Sequence, residues 1–514
     1  MTSNSQQEFG ALRSFFWPIH AYELKKILPM FLMFFCILFN YTVMRDTKDG
    51  LVVTHCGAEA LPFLKLFGVL PGAIIYMLIY ARLSNSLNKE KLFYAAIAPF
   101  IVFFALFPIT IYPFREFLHL PALGESLRSL LPMGFNGAIG AIENWTLSFF
   151  YIMAELWGSA VISLLFWGFA NEITRTSEAK RFYSLFGFGG NFSLLFSGLF
   201  IWWASSLEGK VAAGVDPFQV SLNYMMAIVV LSGLVILGTY YWMNRNILTD
   251  SRFYESTDVK KKKSKPKLGM KESFIFLAKS KYICCIAVLV IAYGIGINLV
   301  EVTWKGQLKL QYPNANSYTA FMGGFSMVTS VVTISMYFIG GFIIRTFGWL
   351  TGALVTPVML LVTGLAFFAF ILFSESFSGL IAFLGTTPLM LAVLFGAAQN
   401  IVSKSTKYSL FDPTKEMSYI PLDDESKVKG KAAIDVVGAR LGKSGGALMN
   451  MSLIVLLGSL DAITPYLAVL LLLVLFAWMF SARILGGLLS KLHEQKKQEE
   501  DSLPSNKEQA LESN

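Results

Sequence analysis

Long apolar runs, separated by short polar connections, recur along the whole chain. A helix that crosses a bilayer needs about 20 mostly apolar residues. About twelve runs meet that length: 27–45, 63–82, 92–113, 144–170, 182–205, 222–244, 282–303, 318–344, 350–374, 380–402, 431–458 and 462–485. Strands are not expected, because an open sheet edge leaves backbone groups unsatisfied in lipid. The pattern predicts an all-α polytopic membrane protein with about 12 transmembrane helices.

Composition and charge sharpen that picture. The chain is 55% hydrophobic and 15% charged, against about 25% charged in soluble domains. Its net charge of +9 points to membrane topology and not to nucleic acid. With the N-terminus cytoplasmic, 32 of the 42 Lys and Arg fall on the cytoplasmic side. Seven fall on the other side: Arg45, Lys48, Arg115, Arg128, Lys210, Lys305 and Lys309. Both ends are therefore expected inside, with an even number of helices between them. The expected division is an interfacial or cytoplasmic N-terminus (1–26), a six-helix half (27–246), a basic cytoplasmic linker (247–280), a second six-helix half (281–486) and a polar cytoplasmic tail (487–514). The four cysteines and four histidines show no ligand spacing. No metal, cofactor or disulfide framework is expected.

The two halves resemble one another weakly. NYTVMRDTK (40–48) at the end of the first run has a counterpart in NLVEVTWK (298–305) at the end of the seventh. YARLSNSLNKEKLF (80–93) parallels FIIRTFGWLTGAL (342–354). Two six-helix halves joined by a charged linker match the major facilitator type of transporter.

Three cations fall inside predicted helices: Lys65, Arg440 and Lys443. The last two lie in GARLGKSGG (438–446), which superficially resembles a phosphate-binding loop. That loop requires GxxxxGK[ST] between a strand and a helix. Here Gly438 and Gly442 enclose three residues and the preceding run is helical in pattern, so an ATPase is not supported. Arg440 and Lys443 instead share one helix face, flanked by glycines that permit close approach. Such cations persist in lipid against a carboxylate or facing a water-filled cavity. An internal ion pair and contact with an anionic substrate both remain open. Glu155 and Glu301 are the carboxylates placed within runs, and Asn298 and Asn400 are candidate hydrogen-bonding groups near helix ends. Among nearby aromatics, Tyr41, Trp145, Trp157, Phe182 and Trp304 are candidates for stacking on a flat base or for simple packing.

Six stretches resemble the ATP/ADP translocases of plastids and obligate intracellular bacteria: NYTVMRDTKDGLVVT, LPFLKLFGVLPGA, FYIMAELWGSAVISLLFWGFANEIT, INLVEVTWK, QNIVSKSTKYSLFDPTKEMSYIPLD and KVKGKAAIDVVGARLGKSGGA. The resemblance runs from about residue 16 to about 485. It implies exchange of ATP for ADP, with phosphate accompanying ADP as an option, in a bacterial cytoplasmic membrane or a plastid envelope. Some members of the family import nucleotides with protons instead. The family's four important charges fall on Lys65, Glu155, Glu301 and Lys443; Arg440 is not among them. A path between two halves of one chain requires no partner subunit, so a monomer is expected.

Overall fold

Polar residues at the run boundaries set where helices begin. Asn88 accepts from the Lys91 amide, Ser280 from Ile283 and Thr387 from Met390. Asp216 accepts from the Phe218 and Gln219 amides, with Pro217 as the first helical residue. Each side chain satisfies a helix-start N–H that has no partner within the helix. Glycines in left-handed or related backbone conformations end two helices, Gly57 at φ 90° and Gly458 at φ 92°.

The computed structural model describes residues 19–212, 214–250, 280–423, 430, 431, 434 and 438–502. Among these there is no strand. Among the described residues, nine helices are long and apolar enough to cross a membrane. We number the spanning segments α1 Leu24–Cys56, α2 Ala60–Ser86, α3 Lys89–Ile111, α4 Trp145–Ile173, α5 Thr176–Ser205, α6 Pro217–Asn246 and α7 Lys281–Gln311. Ala315–Leu372 breaks at Gly348 (φ 81°, ψ 178°) into α8, 315–347, and α9, 349–372. Ile344 packs against Gly352 across the break. The ninth apolar helix is α12 Leu460–Ser502, and two helices outside the nine, α10 Pro388–Thr406 and α11 Ala439–Leu457, bring the number to twelve once 315–372 is divided.

Polar atoms inside the bundle are satisfied by neighbouring helices, as a bilayer requires. Asn40 donates to Val229 O at 2.9 Å and accepts from Ser232 Oγ at 2.6 Å, tying α1 to α6. Trp157 Nε1 donates to Ile37 O, and Trp304 Nε1 donates to Val393 O. Both indoles are therefore buried ties between helices and not stacking platforms.

α1 packs on α4, α5 and α6, while α7 packs on α10, α11 and α12. The two groups meet along α5 against α8, and along the first turns of α2 against α11. Small residues allow the first contact: a Cβ on Gly198 would sit 2.7 Å from Gly323 O. The end of the bundle that carries 57–60, 133–143 and 454–460 is tightly closed. A Cβ on Gly134 would lie 2.6 Å from Val455 Cα, and one on Gly137 would lie 2.5 Å from Glu59 C. Toward the opposite end, no residue of Leu70–Ser86 in α2 is buried, and Leu441 and Leu448 of α11 are exposed.

Several boundaries differ from the sequence expectation. α1 runs to Cys56 and α7 to Gln311, so Arg45, Lys48 and Lys305 are helical residues and not outer-loop residues. Paired charges let a helix continue where hydropathy falls. The connection 403–431 forms a further helix, Asp412–Ser418, held to the second half by Trp349 Nε1 to Thr414 O and Tyr282 hydroxyl to Ser418 O. Helix α12 extends to Ser502, because KLHEQKKQEED is rich in helix formers. The basic linker falls almost wholly on 251–279, and the interfacial segment largely on 1–18; both lie outside the described residues.

Candidate functional site

The core of the bundle holds a chain of six alternating charges. Lys48 of α1 lies 3.0 Å from Glu155 of α4 and 2.8 Å from Asp49. The other oxygen of Asp49 meets Lys305 of α7 at 2.8 Å. Lys305 also pairs with Glu301, one turn earlier, at 2.8 Å. Glu301 is completed by Lys65 of α2 at 3.0 Å, and Lys65 also donates to Asn298 Oδ1 at 3.3 Å. The Lys48 ammonium lies over the Tyr151 ring, 3.9 Å from its centroid.

The pairs Lys65–Glu301 and Lys305–Asp49 both join the first half to the second. Lys48, Asp49 and Lys305 expose only 3–4% of their side chains, whereas Lys65, Glu155 and Glu301 expose 24–30%. The network therefore has a sealed floor and an accessible rim. A lone cation at mid-membrane costs at least about 2.5–3.5 kcal/mol. Removing one member of a buried pair costs about 3–5 kcal/mol, because its partner is left uncompensated. The alternation is thus held tightly and admits rearrangement only by exchange of one counter-charge for another.

Local geometry aims these groups. Lys65 sits in a π-helical turn, Leu64–Val69, and Glu155 lies just before another, Gly158–Phe166. The extra residue in each turn rotates the face that follows. Glycines then allow α11 to lie against α7. A Cβ on Gly294 would lie 2.7 Å from Gly442 Cα, and one on Gly446 would lie 2.6 Å from Asn298 Cβ. Asn450 donates to Asn298 O at 2.9 Å. The glycine face of α11 is thus a packing face against the helix that carries Glu301. The side chains of Arg440 and Lys443 lie outside the described residues.

Of the residues singled out from sequence, Lys65, Glu155, Asn298 and Glu301 come together. Asn400 does not join them; it is buried and donates to Gly396 O of its own helix at 2.9 Å. Lys48, Asp49 and Lys305 are network members that sequence reasoning missed. The available signal was the matching lysine at the end of each paired stretch, NYTVMRDTK and NLVEVTWK.

Residues 2–488 match the family described as TLC ATP/ADP transporter. This chain belongs to that family. It is 60% identical over 513 residues to "ADP,ATP carrier protein 1" of Chlamydia pneumoniae, covering 98% of this chain and 100% of that protein. It is 52% identical over 480 residues to "ADP,ATP carrier protein 1, chloroplastic" of Arabidopsis thaliana, covering 93% and 76%. These relatives of the TLC ATP/ADP transporter chain are named as carriers, not enzymes. In fold, the chain is similar to a D-xylose-proton symporter (TM-score 0.52, 13% identity, 89% of this chain and 98% of that one). It is equally similar to a nucleoside transporter (TM-score 0.52, 10% identity, 88% and 99%). That likeness shows the major-facilitator-like architecture alone. Within this TLC-family member, three of the four charges implied by resemblance, Lys65, Glu155 and Glu301, lie in one connected network.

Proposed function

We infer that the chain exchanges ATP for ADP across a membrane by alternating access. The observation that carries the mechanism is the charge network that bridges the halves, above all Lys65–Glu301 and Lys305–Asp49. Family membership and the names of the relatives support the substrates.

A nucleotide brings both negative phosphates and a neutral base into the interface. Phosphates compete with Glu301 for the rim lysine, Lys65, and with Glu155 for Lys48, and Lys443 adds a further cation. Arg440 assists from the turn before Lys443, while Asn298, already bonded to Lys65, offers a hydrogen bond. Displacing the carboxylates loosens the pairs that hold the halves in one relation, so that the halves rock when an anion is bound. With no anion, the carboxylates re-form the bridge. That coupling makes exchange obligatory without a separate gate.

With both termini cytoplasmic, as the Lys and Arg distribution supports, the closed end at 134–137 and 454–460 faces outward. The rim then opens toward the cytoplasm. We assign the protein to a bacterial cytoplasmic membrane, working as a monomer in the lipid bilayer, with phosphate able to accompany ADP. Labelled ATP uptake into proteoliposomes, preloaded with ADP or left without nucleotide, tests this reading. Uptake is expected to require internal ADP and to ignore a proton uncoupler. Uptake that needs no ADP and collapses with the uncoupler would move the chain to proton-coupled nucleotide import.

A further inference from the structure

We propose that Arg45 and Lys404, one from each half, add a second pair of contacts to the phosphate chain of the nucleotide, beyond the rim lysine Lys65. This deepens the exchange reading and rests on it.

The central network is electrically complete. Three lysines face three carboxylates, and each ammonium lies within 3.0 Å of at least one of them. An arriving polyphosphate must displace a carboxylate already in place. Lys404 of α10 is different. Its ammonium lies 4.8 Å from the centroid of Phe325, and among the described residues no carboxylate lies within ion-pair distance of it. The ring holds the ammonium in position by its quadrupole but does not neutralise it. Lys404 is partly exposed, so the charge is within reach of a ligand.

Arg45 of α1 approaches the same place from the other half. Its Nε lies 2.8 Å from Asp46 Oδ1, and its Nη2 donates to Ser326 Oγ at 2.8 Å. Ser326 in turn donates to Asp46 Oδ2 at 2.7 Å. Phe325 and Ser326 are consecutive on α8, so cations from α1 and α10 converge on one turn of that helix. Arg45, Lys305, Glu301 and Asp46 are the charged groups that act on Lys404. Asp46 is fully buried and is the sole carboxylate in an ion pair with Arg45 among the described residues. With Arg45 paired to Asp46 and Lys404 unmatched by any carboxylate among the described residues, the two cations carry a net positive charge within the bundle that an anion relieves. Arg45 Nη1 makes no bond among the described residues, leaving one prong of the guanidinium fork for an oxyanion. An inorganic phosphate and a nucleotide phosphate share this chemistry. Because the cations belong to opposite halves, a phosphate chain held between them also draws α1 toward α10.

The test uses the full chain in proteoliposomes loaded with ADP. Lys404→Gln is expected to raise the KM for ATP about tenfold or more, the usual scale of one charge-assisted contact. The loss should grow with phosphate number, from AMP through ADP to ATP as competitors, and Lys404→Arg should recover most of it. Inorganic tripolyphosphate should compete with ATP in the wild type and about tenfold less well in Lys404→Gln. Inorganic phosphate alone should compete weakly in both. Wild-type exchange with an unchanged KM and competitor order in Lys404→Gln overturns the proposal and leaves the exchange reading standing. A wild-type chain that exchanges no nucleotide overturns the exchange reading itself. A second measurement needs no variant: acylation of Lys404 by an amine reagent, read by peptide mass. ATP and tripolyphosphate should slow it and adenosine should not. Equal labelling with and without tripolyphosphate overturns the proposal even where the variants fail to fold.

Discussion

Lys305 is the residue on which the bridge turns, since among the described residues it alone touches both Asp49 of the first half and Glu301 of the second. Lys305→Met leaves Asp49 buried beside a single cation. The expected result is loss of exchange together with a stability loss of about 3–5 kcal/mol, read as a lower unfolding temperature in detergent. Adding Asp49→Asn should recover much of the stability and little of the exchange. Recovery of exchange by the double variant would show the pair to be mere packing. Lys65, Glu155 and Glu301 are legible from sequence because each stands within an apolar run. Lys48, Asp49 and Lys305 are not, because they crowd near run ends, where a hydropathy window cannot tell a last helical turn from a loop. Leu51, Val52 and Val53 after RDTKDG are apolar again, which is the clue that α1 continues. His119 shows a similar limit. Its spacing suggests Glu116 as partner, but its ring nitrogen instead lies 2.7 Å from Thr146 Oγ1. Burial, then the positive charges of His55 and Arg115, holds His119 below its ordinary value of 6.5. The folded protein therefore resists protonating it. Its contribution is full above that value and is lost as pH falls below it. Unfolding temperature should decline on acidification below about pH 6.5, and His119→Gln should flatten that part of the profile.

At the scale of elements, the glycines of α11 decide how near it lies to α7. Gly442 faces the backbone of Gly294, with a Cβ there 3.1 Å from Gly294 Cα, whereas a Cβ on Gly445 meets nothing within 4 Å. Gly442→Leu should force the helices apart and abolish both assembly and exchange. Gly445→Ala should be tolerated, with exchange within about twofold of wild type, because a methyl group in open space costs little. Equal damage from the two substitutions, measured as monodisperse protein recovered from membranes, would contradict the packing assignment. The GxxxG-like spacing makes the close approach readable in advance. Its partner is not readable, since nothing in the sequence of α11 distinguishes α7 from the other apolar helices. The twelve-helix count is legible for the same reason that the boundaries are not. Burial in lipid demands apolar length, while the last turns of α1 and α7 are stabilised by pairings between distant segments. Those pairings exist only once the halves have met.

At the scale of the whole molecule, the closed end makes alternation testable. Gly134 abuts the backbone of Val455, and Gly137 abuts the Glu59 backbone, so that the 133–143 segment, the α1–α2 turn and the end of α11 meet without side chains between them. These contacts must part for the opposite end to close over the network. A bulky residue at Gly134 should therefore keep this end from sealing, and it lies apart from Lys65, Glu301 and the rest of the charge chain. Gly134→Leu is expected to retain nucleotide binding within a few-fold while exchange falls by about a hundredfold or more, because one of two required states is lost. Binding is read by titration in detergent and exchange by uptake into ADP-loaded vesicles. Access can be followed independently by a thiol reagent at the native Cys56, which is buried at this end and lies against Gly140. Its labelling should quicken in Gly134→Leu. Unchanged labelling with normal exchange would mean that the close approach at Gly134 is not part of the moving seal, and the halves would have to separate elsewhere.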